Sequence, residues 1–102
     1  MAKPYYEFFC PVKVIAGNAA LEHIPFELAT LGAKRPLIIT DKGVRANGLL
    51  NPIEAAFSTT DAVIGHVFDD VPPDSSLEVV RLAAEAYRTN KCDAIIAVGG
   101  GS

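Results

Sequence analysis

Short apolar runs, each bounded by turn or charged residues, recur along this chain. Three of them span Pro36–Thr40, Ala62–Phe68 and Asp93–Val98. Pro36–Thr40 is a continuous apolar run, which is typical of a strand that is covered on both faces in a parallel sheet. The pattern therefore predicts three strands.

Helical segments separate these runs. Pro25 fits the first position of a helix that reaches Leu31, and Gly32 supplies a left-handed stop. After the first predicted strand come a short turn or helix over Val44–Ala46 and a helix from Asn51 to Phe57. Helices that alternate with strands predict an α/β fold with a mostly parallel sheet.

The most regular helical pattern lies before the last strand. Ser75 and Glu78 have the spacing of a capping box, which predicts a helix that begins near Ser75 and ends by Asn90. One apolar stripe at helical spacing is expected to face the core. It consists of Leu77, Val80, Ala84 and Tyr87.

The N-terminal region has a different pattern. Tyr5–Phe9 and Val12–Ile15 are β-prone runs on either side of Pro11. They predict a β-hairpin or a pair of edge strands. The complete expectation is a Rossmann-like sheet with flanking helices and this N-terminal pair.

Composition narrows the class of protein. A chain of 102 residues that is 50% hydrophobic can form one compact domain, and we expect residues 1–102 to do so. A net charge of −3 disfavours a nucleic-acid partner.

Without an apolar run of about 20 residues, we expect a soluble, cytoplasmic protein with no membrane partner. Its two cysteines, Cys10 and Cys92, are expected to be reduced thiols.

The last residues suggest a phosphate site. Three glycines, Gly99, Gly100 and Gly101, follow the third predicted strand, and Ser102 adds a hydroxyl group. Glycines let the backbone approach a phosphate closely, and consecutive amides can bind an anion together. The alternative is that this turn only connects two elements.

Asp41 is the second candidate for a ligand contact, because it follows the first predicted strand directly. An acidic residue at a strand end can accept hydrogen bonds from the ribose hydroxyls of a dinucleotide. Alternatively, Asp41 only caps the following turn. Neighbouring charges are expected to be solvated: Lys42 in its turn, and Asp69 with Asp70 at a strand exit.

Three segments together resemble a known family. They are Leu37–Gly43, Asp70–Pro72 and Cys92–Ser102. In this order and spacing they look like the N-terminal dinucleotide-binding region of the iron-containing (group III) alcohol dehydrogenases. One departure is Pro72-Pro73-Asp74-Ser75 where the family usually has Pro-Asn-Pro-Thr, so Pro73 replaces an asparagine that contacts the cofactor.

The resemblance implies an NAD-dependent enzyme that interconverts alcohols and aldehydes or ketones. It assigns the adenosine ribose to Asp41 and the pyrophosphate to Gly99, Gly100, Gly101 and Ser102. It also implies an Fe²⁺ ion whose ligands, an Asp and three His, lie in a later helical domain. We therefore expect a truncated NAD-binding domain that holds neither catalytic nor metal-binding residues and is inactive alone.

Two other functions remain open from the sequence. One is a fragment of a related glycerol dehydrogenase or dehydroquinate synthase-like enzyme. The other is a non-catalytic α/β module that binds a partner through an exposed sheet edge. In the leading interpretation the partners are NAD and a small alcohol or carbonyl substrate, and the protein is a homo-oligomer.

Overall fold

The computed structural model describes residues 12–73 and 76–99, and these form a three-stranded parallel sheet with helices around it. The strands are β1 (Pro36–Ile39), β2 (His66–Phe68) and β3 (Ala94–Ala97), in the order β2-β1-β3. Leu37 pairs with His66 on one side and with Ile95 on the other. The predicted α/β class and parallel sheet are confirmed.

The helices agree closely with the sequence pattern. A 3₁₀ turn (Ala20–His23) precedes α1 (Ile24–Thr30), and α2 (Lys42–Ala46) and α3 (Asn51–Phe57) follow β1. Helix α4 (Leu77–Thr89) precedes β3. Gly32 has a φ of 77°, the left-handed conformation predicted for the stop after α1.

Two hydrophobic clusters cover the two faces of β1. Ile38 lies on the face covered by α1 and α3, and Leu37 on the face covered by α4. Both side chains are fully buried. Burial of one such side chain contributes about 1.5–3 kcal/mol to stability. The prediction that this strand is covered on both faces is therefore confirmed.

Helix α4 packs through a stripe that shares Tyr87 with the predicted one and otherwise differs from it, so the prediction is confirmed for Tyr87. Leu77 and Val80 are 88% and 60% exposed, so their predicted place in the core is wrong. The residues that pack beside Leu37 and Phe68 are Val79, Ala83, Ala86 and Tyr87. Both sets of residues have helical spacing, so the sequence pattern allows either set to face the core. The packing of α4 against the sheet determines which set is buried.

The ends of two elements also differ from the prediction. Strand β2 begins at His66 rather than Ala62, because Pro36 on the adjacent strand has no amide hydrogen to extend the ladder. Ser76, not Ser75, caps α4 by accepting a hydrogen bond from the Val79 amide at 3.4 Å. Ser75 itself lies outside the described residues.

The predicted N-terminal strand pair is not found in the part of the chain that is described. Residues 12–16 are irregular, so Val12–Ile15 is not a strand. Its predicted partner, Tyr5–Phe9, lies outside the described residues, as does Cys10. Cys92 is a buried free thiol, and burial raises its pKa.

Thr40 joins the carboxyl end of β1 to both neighbouring strands. Its amide donates a hydrogen bond to the Phe68 carbonyl at 2.9 Å, and its hydroxyl donates to the Val98 carbonyl at 2.8 Å. The side chain is 2% exposed. A buried threonine therefore fixes the chain immediately before Gly99.

Asp93 joins β1 and β3 at their amino ends. Its two carboxylate oxygens accept hydrogen bonds from the Lys34 and Arg35 amides, each at 2.8 Å. These bonds, with the Lys34 amide contributing most, hold the pKa of Asp93 below its usual value. The carboxylate thus ties β3 to the residues that lead into β1.

We predict that Thr40→Val lowers the free energy of unfolding by about 1–2 kcal/mol, because the Val98 carbonyl loses a buried donor while the side-chain volume is nearly kept. Urea unfolding measures this loss. In hydrogen exchange, the Val98 amide should exchange faster in Thr40→Val than in Thr40→Ser, which retains the hydroxyl. Equal exchange in the two variants would contradict the role given to the hydroxyl.

We predict that Asp93→Asn lowers the melting temperature at neutral pH, because an amide cannot replace both carboxylate acceptors. The pKa of Asp93 is lowered by folding, so its contribution is fully present above the unfolded pKa of about 3.9 and is lost as pH falls through the folded value. The difference from the unmodified protein should therefore shrink in acid. Asp61→Asn, at an exposed turn, is the matched control, and a pH-independent difference would exclude this explanation.

Candidate functional site

The carboxyl ends of the three strands meet at one edge of the sheet, and the predicted ligand residues lie there. Asp41 follows β1 after Thr40, and Gly99 follows β3 after Val98. Ile39 and Ala97 are paired in register, so the two chains leave the sheet side by side. The predicted neighbourhood of Asp41 and the start of the glycine turn is therefore confirmed.

A cavity of about 290 Å³ lies between these two chain ends. Its lining is apolar at the strands and polar at the Asp41 end. The residues that line it are Ile39, Thr40, Asp41, Val71, Ala97, Val98 and Gly99. An open cleft at this edge is where ligands bind in parallel α/β sheets.

Asp41 caps helix α2, as its alternative interpretation predicted. Its Oδ1 atom accepts a hydrogen bond from the Val44 amide at 2.7 Å. Within residues 12–73 and 76–99, no donor reaches its Oδ2 atom. A carboxylate has about four lone-pair sites, so capping leaves acceptor capacity for a ligand.

Gly43 keeps the space beside this carboxylate open. A Cβ atom at position 43 would lie 3.3 Å from Asp41 Oδ1, closer than most such contacts. Any larger residue would therefore press on the capping oxygen. The glycine is the last residue of the Leu37–Gly43 segment that carries the family resemblance, but the sequence did not predict its steric role.

Gly99 is the only residue of the predicted phosphate turn that the structure describes; Gly100, Gly101 and Ser102 lie outside the described residues. No described atom would come within 4 Å of a Cβ built on Gly99. The space beside its backbone is therefore open to a ligand group. In that respect the described residues fit one end of a dinucleotide.

Four charged side chains beside Asp41 form ion pairs at the surface, an arrangement that the expectation of solvated charges at Lys42, Asp69 and Asp70 did not include. Lys42 Nζ lies 3.2 Å from Asp69 Oδ1 and 2.6 Å from Asp70 Oδ1. Arg45 Nη1 lies 2.9 Å from the other oxygen of Asp69. We call Lys42, Arg45, Asp69 and Asp70 the edge cluster.

The ion pairs shift the pKa values of two members of the edge cluster. Hydrogen bonds from Arg45 and then Lys42 hold the pKa of Asp69 below its usual range. Those to Asp70 and then Asp69 raise the pKa of Lys42. Both shifts favour the charged forms of Lys42 and Asp69. The sequence signal for this arrangement was only that opposite charges follow adjacent strands.

The described residues do not fit an iron site. Residues 12–73 and 76–99 contain no group of three His, Cys, Asp or Glu side chains that could hold a metal ion. His23 lies at the end of the 3₁₀ turn and His66 in β2. In the same part of the chain, no helix has both the length and the apolar character needed to span a membrane.

Comparison with known proteins gives the family context. The model of the family "Iron-containing alcohol dehydrogenase" matches residues 11–102. The 4-hydroxybutyrate dehydrogenase of Cupriavidus necator is 39% identical over 81% of this chain and 21% of its own length. The NAD-dependent methanol dehydrogenase of Bacillus methanolicus is 27% identical over 93% of this chain and 25% of its own.

A solved structure supports the fold. The crystal structure of maleylacetate reductase from Agrobacterium tumefaciens superposes with a TM-score of 0.77 at 23% identity, over 98% of this chain and 27% of that one. The chain thus spans about a quarter of the length of the relatives it matches. The family match over residues 11–102 shows that this chain belongs to the iron-containing alcohol dehydrogenase family.

Proposed function

We propose that this chain binds NAD as the nucleotide-binding part of an alcohol dehydrogenase that interconverts alcohols and aldehydes or ketones. The observation that carries the proposal is that Asp41 and Gly99 line the same cavity at the carboxyl edge of the sheet. The relative named as an NAD-dependent methanol dehydrogenase supports NAD as the cofactor. The family match favours this enzyme class over the glycerol dehydrogenase and dehydroquinate synthase group.

In this proposal Asp41 binds the adenosine ribose. The hydroxyls of the ribose donate hydrogen bonds to the acceptor sites that the Val44 amide leaves open. A 2′-phosphate would instead meet a negative charge. Two unit charges about 4 Å apart repel by about 4 kcal/mol at an effective dielectric constant of 20, and salt reduces this value. Asp41 therefore favours NAD over NADP.

The pyrophosphate is assigned to the glycine turn. Gly99 provides open backbone beside the cleft, and the sequence continues with Gly100, Gly101 and Ser102. Amides in such a turn can donate hydrogen bonds to phosphate oxygens, and the serine hydroxyl adds another donor. Thr40 positions this turn through the Val98 carbonyl.

The chemistry that bound NAD supplies is acceptance of a hydride from the alcohol carbon. In this proposal the described residues of the chain bind and orient NAD, and Asp41 disfavours NADP. Because they do not form a metal site, no step that depends on iron is assigned to them. The substrate is proposed only as a small alcohol or its carbonyl product.

We predict that Asp41→Ala in the full-length protein raises KM for NAD and increases the NADP to NAD ratio of kcat/KM, by tenfold or more if about 1.4 kcal/mol of the repulsion is removed. The charge and the ribose acceptor are lost together. Steady-state kinetics with each cofactor measures this change. An unchanged ratio would remove Asp41 from cofactor selection, and an absence of NAD binding by the unmodified protein in a calorimetric titration would favour the interaction-module alternative.

Asp41→Asn is the matched control, because it retains an oxygen that can cap α2 but removes the charge. It should relax the discrimination against NADP as Asp41→Ala does. Only Asp41→Ala should also lose about 1 kcal/mol of stability with the cap. If Asp41→Asn and Asp41→Ala lost the same stability, the hydrogen bond that caps α2 would not be the source of that loss.

A further inference from the structure

In the edge cluster, the carboxylate of Asp69 forms ion pairs with both cations, Lys42 and Arg45. Asp69 Oδ1 contacts Lys42 Nζ at 3.2 Å, and Asp69 Oδ2 contacts Arg45 Nη1 at 2.9 Å. Among the described residues, the ion-pair partner of Asp70 is Lys42 alone. Asp69 is also the least exposed member, at 21% for its side chain against 73% for Lys42 and 52% for Arg45.

The edge cluster lies immediately beside Asp41. Asp41, Lys42, Asp69 and Asp70 line one cavity of about 400 Å³. Its remaining lining residues are Gly43, Val71, Pro72 and Pro73. A phosphate on a ribose held by Asp41 would lie in the cavity that Lys42 lines, and Arg45 is bound to Asp69, which belongs to the same lining. Both cations already have carboxylate partners.

We propose that Asp69 is a second determinant of cofactor preference: by holding Arg45, and by sharing Lys42 with Asp70, it withholds these cations from a 2′-phosphate on the ribose at Asp41. This inference rests on the proposed function, since it requires the ribose of the cofactor to lie at Asp41. It adds a specificity residue that follows β2 to the one that follows β1.

Charge balance at the edge supports this role. Asp41 and the edge cluster together place three carboxylates against two cations, a net charge of −1. A 2′-phosphate adds nearly two further negative charges. Removal of the Asp69 charge makes the group neutral and leaves Arg45 without its carboxylate partner among the described residues. The guanidinium can then make a charge-assisted bidentate pair with phosphate oxygens.

The test uses the full-length protein and steady-state kinetics with NAD and NADP. Asp69→Asn should raise kcat/KM for NADP about fivefold, the amount expected from an exposed ion pair. The gain should come from a lower KM for NADP, with kcat little changed. The value for NAD should stay within about twofold of the unmodified protein.

Two further variants identify the cause of the gain. Asp69→Asn combined with Arg45→Ala should lose the gain, because the released cation is gone. Asp61→Asn makes the same chemical change near the opposite edge of the sheet, since the Val63 amide binds the Lys34 carbonyl at 2.8 Å just before β1. It should leave the NADP to NAD ratio unchanged.

The outcomes separate this inference from the proposed function. If Asp41→Ala changes the cofactor ratio and Asp69→Asn does not, the inference on Asp69 is wrong and the proposed function stands. If Asp69→Asn lowers both kcat/KM values equally, Asp69 only supports α2, which also overturns the inference. If neither Asp41→Ala nor the choice of nucleotide affects the rate, the proposed function itself is wrong.

Discussion

Parallel pairing of β1 with a strand on each side is the constraint on which the candidate site depends. Because both pairings run in the same direction, the residues after β1, β2 and β3 emerge at one edge of the sheet. Leu37 and Ile38 keep β1 central by filling the clusters on its two faces. Asp41, Asp69 and Gly99 are thereby brought together from distant parts of the sequence.

Carboxylates at the two edges of the sheet have different tasks. Asp93 at the amino edge accepts a backbone amide hydrogen bond on each oxygen, so it ties β3 to the residues before β1 and stabilises the fold. Asp41 at the carboxyl edge uses one oxygen to cap α2, and Asp69 beside it holds two cations. The edge that faces the cleft is therefore negatively charged, which suits a ribose better than an additional phosphate.

The sequence predicted best those elements whose local pattern is compatible with one local structure. Helix α3 (Asn51–Phe57) and the stop at Gly32 follow from proline and glycine chemistry, and β1 follows from an apolar run. Helix α4 offered two apolar stripes, and only tertiary packing distinguishes them. Ion pairs such as Lys42–Asp69 and the bond from Thr40 to Val98 join residues far apart in the chain, so local pattern could not predict them.

The central claim is that a dinucleotide lies across the carboxyl edge, between Asp41 and the turn that begins at Gly99. A crystal structure of the full-length protein with bound NAD tests it most directly. We expect the adenosine ribose hydroxyls within hydrogen-bond distance of the Asp41 carboxylate, at about 2.5–3.0 Å, and the pyrophosphate against the glycine turn. A dinucleotide bound at the amino edge, or with its ribose away from Asp41, would contradict the account.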